Sequence, residues 1–333
     1  MRFSVDAWDP GYGTSMQESA ETLEAPSARV SLEVELEAAD WSPIEPTDVA
    51  TPSAVLFVDG VRRIDARLWI GDALAGDASM GVCGSYAAGV VCCCDDGAHL
   101  SHLEVRRGLF TTATGAENLT TDHGSWSLAL TTPDSGTPPS QTLSLALQRR
   151  LADLEVIVAA NARAARHRDD DLLVIDGPLR GRTKLERAVS LIKSHQAFYL
   201  PPEVGGIIGQ LRAGERTPVF FLGTTWERYT WYLRLPCEIE SNWSGIVRLE
   251  CSPDLAPAEA LSLANQAQRV LPAYASEPHK DSRAPQNLYP IGGLERQLRH
   301  RLGDPGLLWR SLRVAARRPG IADDRGDRPQ PPV

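Results

Sequence analysis

The chain has 333 residues, 42% hydrophobic and 23% charged, enough for one large core or two lobes. It has no apolar run of about eighteen residues, which excludes a transmembrane helix, and its opening MRFSVDAWDPGYG lacks the basic-then-apolar order of a secretory signal, so cytoplasm is the expected compartment. A net charge of −9 argues against nonspecific coating of nucleic acid, but not against a site that gathers carboxylates around cations.

Residues 1–28 are mixed and polar and read as an irregular arm. RVSLEVELE (29–37) alternates apolar and acidic residues and predicts a strand with one wet face. AVLFVDG (54–60) is a continuous apolar run ending in Asp59-Gly60, the pattern of a strand buried on both faces. VRRIDARLWIGD alternates again, which predicts a hairpin turning at Gly60. Further strands are expected over 81–94 and 103–112, and a loop or insertion over 113–139. From Ser140 the period changes. Leu143, Leu147, Leu151, Leu154 and Val158 recur every three or four residues and mark a long amphipathic helix.

LLVIDGPL (172–179) is a second apolar strand ending in Asp-Gly. A helix is expected over about 184–192, a short strand near Ala197–Leu200 and helical turns over 204–211. Strands are expected at 219–224, 228–235 and 244–251, then helices at 257–271 and 292–302. Arg296–Arg318 is arginine-rich, and 318–333 reads as a disordered tail. The expected organisation is an acidic arm and strand (1–53), a mixed α/β domain (54–302), and a basic segment with a tail (303–333).

Six cysteines occur, three of them consecutive: Cys83, Cys92, Cys93, Cys94, Cys237 and Cys251. None shows CxxC spacing. Neighbours on a strand point to opposite faces, so the triplet is not expected to converge on one ion and reads as small buried side chains. No P-loop, HExxH or GxSxG pattern is present.

The chemistry is expected from carboxylates. Asp59 and Asp176 close apolar strands, at the sheet edge where α/β folds bind ligands. Either alone could be a turn residue. Glu155 lies beside the apolar stripe of the long helix, where a carboxylate is costly unless paired or metal-bound. Three acids from two strands and a helix can meet at one point and suit Mg²⁺ or Mn²⁺. Lys193 ends an apolar run and, by itself, could be a solvated surface lysine. Arg180, Arg182 and Lys184 could track a nucleic-acid backbone or form a solvated turn. Trp226, Tyr229, Trp231, Tyr232 and Trp243 could stack bases beside Arg228 and Arg234, but read better as core or interface.

FVDG with Asp59, LADLEVIVAANARAA with Glu155, LLVIDGPL with Asp176, IKSHQAFYLP with Lys193 and NLYPIGGLERQL together resemble the NurA-type nucleases. The resemblance implies an RNase H-like fold, with Asp59, Glu155 and Asp176 as metal ligands and Lys193 and Tyr289 beside them in the catalytic set. It also implies Mn²⁺ or Mg²⁺ as cofactor, DNA as substrate with 5′-to-3′ exonuclease and single-strand endonuclease activity, a HerA-type hexameric ATPase as partner, and a homodimer in DNA end processing, with no membrane association. The family's His or Asp shortly after Tyr-Pro is missing; Gln297 stands eight positions after Tyr289. Glu295, two residues before Gln297 and with His300 three after it, is the expected replacement as last ligand, with His279, Asp281 and Gln297 itself as competitors. Two rival expectations are a non-catalytic RNase H-like subunit that docks a motor ATPase, and an RNA-directed nuclease.

Overall fold

The computed structural model describes residues 28–71, 78–133, 136–166, 168–195 and 198–317. The arm expected over 1–28 lies outside them up to Ser27, as do the tail over 318–333 and Ala197 of the short strand expected there. The chain forms two compact units, interleaved along the sequence: 1–62, 86–105 and 148–301 in the first, 63–85, 106–147 and 302–333 in the second.

The elements in chain order are β1 (Arg29–Ser31), β2 (Ala54–Ile70), β3 (Ser79–Cys94), β4 (Gly97–Thr111), β5 (Leu119–Thr121), β6 (Gly124–Leu130) and α1 (Pro139–Arg166). Then follow β7 (Leu172–Asp176), β8 (Ala188–Ile192), α2 (Pro202–Gly205), α3 (Ile207–Gln210), β9 (Phe220–Gly223), β10 (Glu227–Arg234) and β11 (Ile246–Cys251). The last are α4 (Pro257–Val270), α5 (Tyr289–Arg301) and α6 (Pro305–Ala315). Among the described residues no helix is long and apolar enough to cross a membrane.

In the first unit the strands lie in the order β1-β9-β10-β11-β8-β7-β2-β3-β4. The links after β2 and β3 are too short for a crossover, so these three form an antiparallel meander. β7 pairs parallel with β2 (Val55↔Leu172, Val58↔Ile175), and β8 parallel with β7 (Leu173↔Ala188). Parallel pairing of β2 and β7 needs a covering crossover, and α1 supplies it. Its stripe of Leu143, Leu147, Leu151, Leu154 and Val158 is buried. A meander of three strands, a helix, and two parallel strands beside the first is the RNase H-like arrangement. α4 places Ala260, Ala264 and Ala267 in one core with Val55, Phe57, Val174, Leu191, Trp231 and Leu249.

The second unit joins the far ends of β2, β3 and β4 to β6, which pairs parallel with β4 (Gly108↔Ser127), and to β5. Its core holds Cys83, Leu109, Trp126, Leu308 and Leu312. Trp126 Nε1 donates to Asp65 Oδ2 at 3.0 Å, Ser85 Oγ to the same oxygen at 2.5 Å, and Arg63 Nε to Asp65 Oδ1 at 3.0 Å, so this buried carboxylate is fully paired.

Four expectations are corrected. β1 stops at Ser31, because the chain turns to bring Glu35 onto the buried guanidinium of Arg216, with both oxygens at 2.7 Å. The region 113–139 carries β5 and β6, anchored by Trp126. The helix expected over 184–192 is instead β8: the AVSLI run is buried between β7 and β11, and strand pairing there outweighs a helical pattern. The hairpin expected at Gly60 does not exist, since β2 runs unbroken from Ala54 to Ile70. Gly60 serves packing instead. A Cβ there would stand 2.7 Å from Leu151 Cδ1 and closer still to Glu155 Oε1. Gly60→Ala is therefore expected to displace the buried Leu151 and Glu155 side chains and cost about 1–3 kcal/mol, read by denaturant unfolding.

Candidate active site

Asp59 lies within β2, not at its end, and is 8% exposed. Alternation along the strand puts its side chain on the face of Val55 and Phe57, whereas Gly60 yields the opposite face to α1 and Glu155. Asp59 Oδ1 accepts from the Gly60 N–H at 2.7 Å. Burial, then the neighbouring Asp176 carboxylate, raises its pKa well above the usual carboxylate range. Lys193 pulls the other way, and Glu155 and Glu295 add to the rise.

Asp176 closes β7 where Gly177 takes a left-handed φ of 86°, and the backbone leaves the sheet there. Its Oδ2 accepts from Lys193 Nζ at 2.7 Å. Glu155, on α1, is buried and ion-paired with Arg182, whose Nη1 also donates to Pro178 O at 2.6 Å. Burial raises the Glu155 pKa, Arg182 opposes that, and Asp176 raises it further. Among the described residues, Asp59 Oδ2, Glu155 Oε1 and Asp176 Oδ1 carry no hydrogen bond.

The last predicted ligand position is filled differently from any one expectation. Glu295, on the buried side of α5, is 8% exposed and pairs with Arg283 at 2.8 Å and Arg299 at 2.7 Å. Asp281 Oδ2 accepts from Asn287 Nδ2 at 2.6 Å, and Asn287 Oδ1 accepts from Lys193 Nζ at 2.8 Å. Although burial raises the Asp281 pKa, the Arg283 N–H, the Asn287 amide and the Arg283 guanidinium hold it below the usual range. Asp281 thus orients Asn287, and Asn287 orients Lys193. Asn287 is fully buried and no sequence motif marked it. Tyr289 is 37% exposed and its hydroxyl accepts from Lys280 Nζ at 3.1 Å. His279 is exposed against Glu277, and Gln297 and His300 are exposed on α5.

Arg182 is committed to Glu155, so only exposed Arg180 and Lys184 of that run remain for a polyanion. Trp231 and Tyr232 are core side chains, and Arg228 and Arg234 are fully buried, so none of the four is open to bases. His195 Nε2 donates to Ile246 O at 2.9 Å, and burial lowers its pKa to about 4, in keeping with a structural role.

The strand acids sit on a central sheet position with hard oxygen donors, the set that suits Mg²⁺ or Mn²⁺. Among the described residues, the oxygens of Asp59, Glu155 and Asp176 do not all lie within 4.8 Å of one another. Among the described residues the group that does meet this distance is Cys92, Cys94 and His99, which could hold a metal ion. The three consecutive cysteines do not converge on one point, as expected, but two of them meet a histidine that the triplet reading left out. Alternation does part Cys93 from its neighbours, but it leaves Cys92 and Cys94 on one face, and His99 joins them from β4.

No family model and no curated protein matches this chain. Among solved structures it is similar to the NurA nuclease from Sulfolobus solfataricus, at 10% identity and a TM-score of 0.45, over 85% of this chain and 91% of that one. It is also similar to endonuclease V from Bacillus subtilis, at 11% identity and a TM-score of 0.33, over 78% and 83%. Likeness at this level says nothing of activity; the fold rests on the strand order above.

Proposed function

We propose that this chain is a divalent-cation-dependent nuclease whose site is built on Asp59, Asp176 and Glu155, with Glu295 at its margin. One observation carries the reading. Asp59 is buried with its Oδ2 free of hydrogen bonds among the described residues, beside the Asp176 carboxylate, whose Oδ2 accepts from Lys193 Nζ at 2.7 Å, and Glu155 and Glu295 add negative charge at Asp59. Such crowding disfavours ionisation and is relieved by a bound cation.

Asp59 and Asp176 would hold the ion, with the charge of Glu155 acting on both. A bound divalent cation would supply Lewis-acid charge and a more acidic water. The chain's own contributions follow from its geometry. Lys193, steadied by Asn287, carries a positive charge beside Asp176 and can pair with a phosphate oxygen. Exposed Arg180 and Lys184 offer charge to the leaving strand. DNA as the substrate, 5′-to-3′ polarity, Mn²⁺ as the preferred ion, a HerA-type ATPase partner and a homodimer belong to this proposal through the family resemblance.

The test is cleavage of end-labelled single- and double-stranded DNA and of RNA by the pure chain in Mn²⁺, Mg²⁺ or EDTA. Cleavage of DNA in Mn²⁺ and none in EDTA is expected. No cleavage in either metal, with or without the ATPase, overturns the enzyme reading, and preference for RNA overturns the DNA assignment. Lys193→Met is expected to slow cleavage by about ten- to a hundredfold. Since Lys193 holds the Asp59 pKa down, its loss moves the acid limb of the pH–rate profile to higher pH, which the profile measures directly.

A further inference from the structure

The hairpin of β3 and β4 ends in a group of donors that the carboxylate site does not use. Cys92 is buried, Cys94 half-buried and His99 exposed, and one ligand atom from each lies within 4.8 Å of the other two. The hairpin turn is tight: Cys94 Sγ stands 3.9 Å from Gly97 O, where the chain takes a φ of 92°. All six cysteines are free thiols. His99 stands on the strand facing Cys92 across the hairpin, and among the described residues its side chain makes no hydrogen bond. Arg166, at the end of α1, donates to Cys92 Sγ at 3.0 Å.

We propose that Cys92, Cys94 and His99 form a second metal site, for Zn²⁺, which ties the two strands beside the turn of this hairpin. Zinc bonds of about 2.3 Å to sulfur and 2.0 Å to nitrogen set tetrahedral ligand atoms about 3.5–3.8 Å apart. Three atoms already within 4.8 Å need to close by only about 1 Å to reach that spacing. The fourth position is open to water from the exposed side. Binding releases the thiol protons to solvent, and the two thiolates balance the ion's charge. The Arg166 guanidinium stays as a hydrogen-bond donor to the Cys92 sulfur, the kind of outer contact that fixes a ligand. Thiolates with an imidazole select zinc over Mg²⁺ and Mn²⁺, so the two sites of this chain sort ions by donor type.

The test uses the full chain, stripped by chelator under reducing conditions and titrated with Co²⁺ and then Zn²⁺. Thiolate-to-cobalt charge-transfer absorption should saturate at about one equivalent and be displaced by Zn²⁺. Cys94→Ser and His99→Ala, neither fully buried, should keep the far-ultraviolet circular dichroism of the parent. Both should weaken binding about a hundredfold or more. Asp59→Asn should leave the absorption unchanged. The proposal fails if no charge-transfer band forms, if the band survives both hairpin substitutions, or if it disappears with Asp59→Asn.

Discussion

Asp59→Asn is expected to cut cleavage by about a thousandfold or more, yet raise the melting temperature of the metal-free protein by a few degrees. The two effects share one cause. Asp59 is buried, beside Asp176 and within reach of Glu155 and Glu295, and its pKa is raised for these reasons in that order of origin, with Lys193 opposing. A carboxyl whose pKa is higher in the folded than the unfolded chain binds more protons when folded. Stability therefore falls as pH rises from the ordinary carboxylate range through the folded pKa. Asparagine keeps the bond from the Gly60 N–H through its Oδ1 but carries no charge, so it removes that fall. It also removes the charged oxygen that would hold the cation. Melts in EDTA at acid and neutral pH should show the variant gaining over wild type as pH rises. A variant that melts lower at neutral pH, or cleaves within tenfold of wild type, contradicts this account of Asp59.

The largest stability loss is expected from Arg182→Met. Arg182 and Glu155 are both nearly fully buried and paired with each other. Removing one partner leaves a buried charge alone, at about 3–5 kcal/mol at neutral pH. Burial already raises the Glu155 pKa, and Arg182 is what opposes it. Without the guanidinium the pKa climbs further, Glu155 protonates more readily, and the deficit shrinks as pH falls. Arg182→Met with Glu155→Gln should recover most of the loss in urea unfolding. A deficit that is independent of pH and untouched by Glu155→Gln would place the role of Arg182 in its bond to Pro178 O instead.

The apolar runs made β2 and β7 legible because strands covered on both faces have no polar alternation to obscure them. The 3.6-residue stripe made α1 legible, and its burial follows that stripe. What escaped was set by partners distant in sequence. Nothing local says that Gly60 makes room for a helix 90 residues on instead of turning the chain. AVSLI is strand because β7 and β11 lie on either side of it. Asp59 and Asp176 were visible as acids on apolar strands, and Glu155 as an acid beside an apolar stripe. Lys193 was marked by the family resemblance, but the partners that hold Glu155 and Lys193 in place were not visible. Arg182 looked like a surface arginine, and Asn287 like any loop residue. The cysteine triplet misled because adjacent residues part on a strand, while alternate ones share a face and a histidine can join from the neighbouring strand.

The most direct test of the carboxylate site is Mn²⁺ uptake, read from the loss of the free-ion electron paramagnetic resonance signal. Wild-type protein should take up Mn²⁺, and Asp59→Asn with Asp176→Asn should take up almost none, while Cys94→Ser binds as the parent does. Equal Mn²⁺ uptake by the doubly substituted protein would contradict the assignment of Asp59 and Asp176 as the residues that hold the ion.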